Sequence, residues 1–290
     1  PLLELIQRQL IIGRKILQFQ PDIVSSLMGS YCQTAKLLGK RNVIFTDSEF
    51  QHFNHRIAHP FADKIYTPSC FSKDLGRKQF RYNGIHELMF LRSGYFQPNE
   101  RALDRYHPIE PGKYLIVRIS SWNTLHDLGH SGFAGGLGDF IQQHSCRYRI
   151  LVSAEENQLP ENLDCIPIQD SPEEFHDLLY FAAFVITEGA STASEAGCLG
   201  VPTVYINNTE QRGYLKMLEQ RYGIVRRFEK GASGLSFASS QIQDMEPVDW
   251  SAREGLRKQI QDDYPDGVDF VVNSLIKDCK IQPIPRKGSE

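Results

Sequence analysis

Phe184-Val-Ile-Thr-Glu-Gly-Ala-Ser-Thr-Ala-Ser-Glu-Ala-Gly-Cys-Leu-Gly-Val-Pro-Thr-Val-Tyr205 is the stretch that decides the fold class. Phe184 to Ile186 is a short apolar run of the kind that forms a buried parallel strand. Gly189 and Ala190 follow, with no side-chain bulk to keep a ligand from the backbone. Ser191 and Thr192 open a helix, Gly197 and Gly200 lie near its end, and Pro202 to Ile206 begins a second strand. Strand, small-residue turn and helix start together make an anion site, because unpaired amides and the positive end of the helix dipole face the turn. The same residues permit another reading. Thr192-Ala-Ser-Glu195 is a capping box, in which Thr192 caps the amide of Glu195 and Glu195 reaches back, with no ligand involved.

Outward from this stretch the pattern repeats. Tyr114 to Ile119, Arg149 to Ser153 and Cys165 to Ile168 read as strands, and Leu137 to His144 and Pro172 to Phe181 as helices, the latter capped by Ser171 with Glu174 three residues on. Tyr214 to Tyr222, Ala252 to Asp262 and Val268 to Lys280 read as later helices. Towards the N-terminus, Leu2 to Phe19 is an amphipathic helix, Pro21 to Ser26, Asn42 to Thr46 and Ala62 to Pro68 are strands, and Gly29 to Leu38 is a helix stopped by Gly39. Alternating strands and helices with short links predict an α/β fold with parallel sheets. The region rich in Pro, Gly and charge predicts a linker at residues 96–112, between a first domain over residues 1–95 and a second over residues 113–290.

Composition narrows the function classes. A chain of 290 residues is long enough for two domains, and a net charge of −3 gives no global positive field for nucleic acid. The six cysteines form no CxxC pair and no metal-ligand spacing, as expected for buried thiols in a reducing cytosol. No apolar run spans a bilayer, so a transmembrane segment is not expected and the predicted location is cytoplasmic. His52 with His55, and His126 with His130, have helical spacing but no neighbouring Cys and no HExxH run, so no metal is expected.

Open parallel sheets bind ligands beyond the carboxyl ends of their strands. Arg118, His126 and Asp127 fall at or after the end of one predicted strand, Glu155 after another, and Gly189, Ala190, Ser191, Thr192 and Glu195 after a third. An arginine and a histidine opposite a helix N-terminus suit a diphosphate. His126-Asp127 also reads as a pair that merely orders its loop. In the first half, Asp47, Glu49, His52 and His55 form a loop rich in acids and bases after a predicted strand, suited to proton transfer or to plain solvation.

Three motifs carry a family resemblance. Val117-Arg-Ile-Ser-Ser-Trp-Asn-Thr-Leu-His-Asp-Leu-Gly-His-Ser-Gly132, Tyr82-Asn-Gly-Ile-His-Glu-Leu-Met-Phe-Leu91 and Gly189-Ala-Ser-Thr-Ala-Ser-Glu-Ala196 resemble the signatures of the domain-of-unknown-function 354 family of bacteria and archaea, over about Pro21 to Phe228. Members resemble glycosyltransferases of the GT-B fold and non-hydrolysing UDP-N-acetylglucosamine 2-epimerases. The resemblance implies two Rossmann-like domains, the first lacking the opening strand and helix usual in the family. It implies a nucleotide-sugar donor, with a UDP-sugar as the first choice, no cofactor besides it, and a glycan or lipid-linked acceptor in surface polysaccharide biosynthesis. It places the diphosphate on the turn Gly189 to Thr192 and the ribose hydroxyls on Glu195, with Asp47 and Glu49 as the candidate catalytic acids. An epimerase is the alternative. However, those enzymes carry an aspartate where this chain has Ser30 and a Glu-Glu pair where it has His52-Phe53, and epimerisation needs acids to remove and return a proton. A nucleotide-sugar-binding protein without catalysis is the third reading.

Overall fold

The computed structural model describes residues 2–120, 133, 136–154, 163–169 and 173–279, with the side chains of residues 2–5 left aside. Chain contacts group residues 1–86 with 264–290, and residues 87–263 with one another.

The first unit holds α1 (Leu2–Phe19), β1 (Ile23–Leu27), α2 (Cys32–Leu37), β2 (Arg41–Phe45), α3 (His52–Ile57), β3 (Lys64–Pro68) and β4 (Gln79–Tyr82). Its strands make one parallel sheet in the order β1-β2-β3-β4. The central strands β2 and β3 are buried at nearly every position, as both faces of a covered parallel sheet require.

The second unit holds α4 (Leu88–Leu91), β5 (Tyr114–Ile119), α5 (Leu137–His144), β6 (Arg149–Ala154), β7 (Ile166–Pro167), α6 (Phe175–Phe181), β8 (Phe184–Thr187), α7 (Ala190–Cys198), β9 (Thr203–Ile206), α8 (Gly213–Met217), β10 (Val225–Phe228), α9 (Gly231–Gln243) and α10 (Trp250–Asp262). All strands are parallel, in the order β10-β9-β8-β5-β6-β7. From β5 the chain moves outward through β6 to β7, then returns to β8 on the other side of β5. This is the Rossmann strand order, and its switch point lies between β5 and β8. Leu115, Val117, Ile150, Val152, Ile186 and Val204 form the core on one sheet face with Phe140, Ile141, Leu235 and Ala238 of α5 and α9.

The α/β class with two parallel sheets stands as expected, and the boundaries move. Residues 96–112 are not a bare linker: Glu100–Tyr106 is a 3-10 helix that buries Ala102, Leu103 and Tyr106 in the second unit. Asn99 donates its amide to buried Asp177 at 2.7 Å. The last helix, α11 (Gly267–Cys279), expected with residues 113–290, groups with the first unit. The physical reason is buried Asp278, whose carboxylate accepts from Tyr66 Oη at 2.8 Å and from Lys64. Strands β4 and β10 and helix α9 add to the elements that the residue pattern predicts. The capping residue Ser171 and the tail 282–290 lie outside the described residues. Among the described residues no helix is long and apolar enough to cross a membrane.

Candidate functional site

The switch point brings together the end of β5 and the turn between β8 and α7. Arg118 pairs in register with Thr187 of β8 on one side and Ser153 of β6 on the other. Its Nη1 donates to Ser153 Oγ at 3.0 Å, and its guanidinium lies 5.5 Å from the centre of the Phe175 ring. Both contacts hold a long cation in one orientation beside the turn.

The helix begins earlier than the capping-box reading requires. Gly189 is the N-cap and no side chain caps α7. Thr192 therefore sits in the third helical position, and Glu195 in the second turn cannot reach back to the cap. The first amides of α7, those of Ala190, Ser191 and Thr192, have no intrahelical acceptor by geometry. Gly189 itself is pinned: its amide donates to Thr187 Oγ1 at 2.9 Å. A Cβ built at Gly189 would lie 3.4 Å from Thr187 Oγ1, 3.5 Å from Thr192 Oγ1 and 3.7 Å from Arg118 Nε. Polar atoms and the Arg118 side chain thus flank the glycine at ordinary contact distance. Ser191 is exposed, Thr192 buried, and Gly189 and Ala190 half-buried. The Glu195 carboxylate lies 3.7 Å from His176 Nε2, and the imidazole is wedged against Phe90 and Phe96.

Glu188, not foreseen from sequence, ties several elements together at this edge. It is buried, and its two carboxylate oxygens accept the amides of Ser120 at 2.8 Å and Phe133 at 2.5 Å. One charge-assisted acceptor thus fixes both Ser120, directly after β5, and Phe133. The carbonyl of Glu188 accepts from Asn207 Nδ2 at 3.0 Å, and Asn207 Oδ1 accepts from the amide and hydroxyl of Thr209. Buried Arg212 donates to Tyr205 Oη at 2.8 Å. The ends of β5, β8 and β9 are therefore one polar network. A signal existed for part of it, since Ser120 and Asn207 directly follow the predicted strands Tyr114 to Ile119 and Pro202 to Ile206, whereas Phe133, Thr209 and Arg212 lie further along the chain. His126, Asp127 and Glu155 lie outside the described residues.

Asp47 and Glu49 lie in the first unit, after β2. Asp47 Oδ2 is 3.1 Å from His86 Nδ1, and Ser48 Oγ donates to its other oxygen at 3.3 Å. Burial pushes the Asp47 carboxyl up, but the hydrogen bond and charge of His86 outweigh it and hold the group below the usual carboxylate range. Glu49 is fully buried and accepts from the amide of Ser72 at 3.0 Å, while its carbonyl accepts from Lys73 at 2.7 Å. His55 packs against His59 with the rings tilted by 31° and their centres 4.5 Å apart. Among the described residues no three His, Cys, Asp or Glu side chains gather as a metal set.

No family model and no curated protein matches the chain. Solved structures do. S. aureus MnaA, determined with UDP, has a TM-score of 0.63 at 12% identity, over 98% of this chain and 84% of that one. The UDP-GlcNAc 2-epimerase of Neisseria meningitidis bound to UDP-GlcNAc has a TM-score of 0.66 at 11% identity, over 92% of this chain and 79% of that one. The glycotransferase of kitacinnamycin has a TM-score of 0.56 at 12% identity, over 96% of this chain and 81% of that one. At such identities the likeness is one of fold, and the fold is GT-B-like.

Proposed function

We propose that this chain is a glycosyltransferase that takes a sugar from a UDP-sugar, with the donor held at the switch point of the second unit. The observation that carries the proposal is the uncapped start of α7 beside Arg118. A diphosphate there accepts hydrogen bonds from the amides of Ala190, Ser191 and Thr192 and pairs with Arg118. Glu195 accepts from the ribose hydroxyls, and His126, Asp127 and Glu155 complete the donor contacts. As the bond from the anomeric carbon to the phosphate oxygen breaks, negative charge develops on the leaving UDP. The amides and Arg118 stabilise that charge most where it is largest, in the transition state.

The acceptor hydroxyl must lose its proton as its oxygen bonds to the anomeric carbon. Asp47 and His86 form an acid–base pair suited to that proton transfer, since the carboxylate orients the imidazole and stabilises its protonated form. Glu49 instead serves the architecture by anchoring Ser72 and Lys73. A second reading, a UDP-sugar 2-epimerase, is favoured by the activity of the neighbouring structures and opposed by Ser30 and His52-Phe53.

Calorimetric titration of UDP into the wild type and Glu195→Gln tests the donor site. A carboxylate hydrogen bond contributes about 1.5–3 kcal/mol, so the variant loses roughly tenfold or more in affinity. Unchanged affinity in a folded variant removes Glu195 from the site. Incubation with a panel of UDP-sugars, with and without acceptors, then separates the activities: transfer or donor hydrolysis supports the first reading, a C2 epimer the second, and binding without turnover a non-catalytic protein.

A further inference from the structure

A pocket of about 580 Å³ opens on the first unit where β2 and β3 begin, the edge of that sheet opposite to Asp47. Lys36, Lys40, Arg41, Lys64 and Lys277 line it, against two carboxylates, Asp63 and Asp278, so five positive charges less two negative leave an excess of three. The carboxylates are already engaged. Asp63 pairs with Lys36 at 2.8 Å, and Asp278 accepts from Lys64 and from Tyr66 Oη. Lys40 donates to the neutral Gln20 side chain at 2.8 Å, and Arg41 donates to the backbone carbonyl of Asp278. Among the described residues neither of these two nor Lys277 makes a salt bridge to a carboxylate, although the charge of Arg41 reaches Asp63.

The ordinary account of such lysines is compensation of helix C-termini, and α2 and α11 both end at this pocket. A helix end carries about half a unit of negative charge, so two ends absorb roughly one of the three surplus charges. The remainder faces a concavity large enough for a small charged ligand. We propose that this pocket is a binding site for a phosphate-bearing anion, a phosphomonoester or diphosphate group, separate from the donor turn. Multiple donors on different elements suit the several acceptor oxygens of a phosphate. The anion comes either as a soluble phosphate compound or as the headgroup of an anionic lipid.

The test uses Gly189→Val as the background, so that the donor turn does not bind the probe. Inorganic pyrophosphate is titrated by calorimetry at low salt, and co-sedimentation is measured with vesicles of phosphatidylcholine containing phosphatidic acid. In both assays Lys40→Glu/Lys277→Glu is compared with a control of equal charge change on exposed lysines of the second unit, Lys113→Glu/Lys216→Glu. Saturable pyrophosphate binding weakened at least tenfold by the first pair only assigns the site to soluble phosphates. Vesicle binding weakened tenfold by the first pair only assigns it to lipid. If both pairs weaken binding equally, or neither does, the attraction is general charge and the proposal fails. Lys40→Gln/Lys277→Gln repeats the comparison should the charge reversals unfold. Failure of the donor-site reading would appear separately, as UDP binding indifferent to Gly189→Val.

Discussion

The turn after β1 and the turn after β8 each link the carboxyl end of a parallel strand to a helix. In each, a glycine stands between the end of a strand and a following helix. At Gly29 the backbone is left-handed, with φ +86° following Met28 at +61°, and a Cβ would come within 2.7 Å of Ile44 Cδ1 and 2.8 Å of Ala58 Cβ. At Gly189 the backbone is extended, φ −83° and ψ 124°, and the nearest neighbours of a Cβ are polar atoms at 3.4 Å or more. The first glycine closes a packed corner. The second meets only polar atoms at ordinary contact distance. Strand order gives the same contrast: the order β1-β2-β3-β4 has no reversal, whereas β5 and β8 flank one. Two similar sequence signals, Gly-Ser at residue 29 and Gly-Ala-Ser at residue 189, thus form a packed left-handed corner in one unit and an extended, polar turn in the other.

The largest expected effect separates the two glycines directly. Gly29→Ala combines a left-handed conformation, costing roughly 1–2 kcal/mol, with overpacking of roughly 1–3 kcal/mol. A drop of about 2–5 kcal/mol in unfolding free energy is expected by denaturant titration. Gly189→Val costs less, about 1 kcal/mol, because its backbone suits any residue and what is lost is a favoured N-cap. It crowds the turn as well, and UDP affinity falls at least a hundredfold, about 2.8 kcal/mol. The reverse outcome, a stable Gly29→Ala and an unstable Gly189→Val, would break the comparison.

A smaller effect follows from acid. Buried His59 lies next to Ala58, which the Gly29 turn touches. Burial first, and the neighbouring charge of His55 second, pull its imidazole from 6.5 down to about 4. Between those values the unfolded chain binds a proton that the folded chain refuses, so stability falls as pH falls from 6.5 towards 4. The contribution has a slope of at most about 1.4 kcal/mol per pH unit. His59→Gln should flatten that part of the pH–stability curve. An unchanged slope would show that another group is responsible.

Much of this architecture is legible in the residues themselves. The buried strands announce themselves through the apolar runs Tyr114 to Val117 and Phe184 to Ile186, and Leu137 to His144 has helical spacing. Helix α9 does not, because its buried face is Gly231, Gly234 and Ala238 beside Leu235 and Ile242, and its serines read as a loop. Strand β4 is hidden similarly: Gln79, Phe80 and Arg81 are half-buried or exposed at a sheet edge, so no apolar run marks it. At the site, local sequence points to the turn at Gly189 but not to its partners. His86 reaches Asp47 across 39 positions, and Glu188 reaches Ser120 across 68. Only the order of strands brings those residues together.

A subtler substitution tests whether α7 binds through its backbone. Proline is favoured at the first helical position, where its missing N–H breaks no intrahelical bond. The residue before a proline prefers extended backbone, which Gly189 already has. Ala190→Pro therefore removes one donor from the proposed diphosphate site with stability within about 0.5 kcal/mol of wild type. One hydrogen bond to a charged phosphate is worth about 1.5–3 kcal/mol, so UDP binding should weaken at least tenfold. Intact affinity would show that the ligand does not use this helix start.

The smallest expected effect is none, and it is informative for that reason. The side chain of Ser191 is exposed at the second position of α7, and no side chain caps this helix. If amides hold the diphosphate, the hydroxyl is a bystander, and Ser191→Ala leaves UDP affinity within about twofold, or 0.4 kcal/mol. If the hydroxyl itself donates to a phosphate oxygen, its removal costs about 1.5–3 kcal/mol, a tenfold loss or more. The two cases also respond differently to Ala190→Pro. A backbone site loses affinity with proline and keeps it with alanine. A side-chain site does the opposite, because proline at position 190 leaves the Ser191 hydroxyl in place. Titrating UDP against both variants on one preparation therefore distinguishes an anion site made by the fold from one made by a particular side chain.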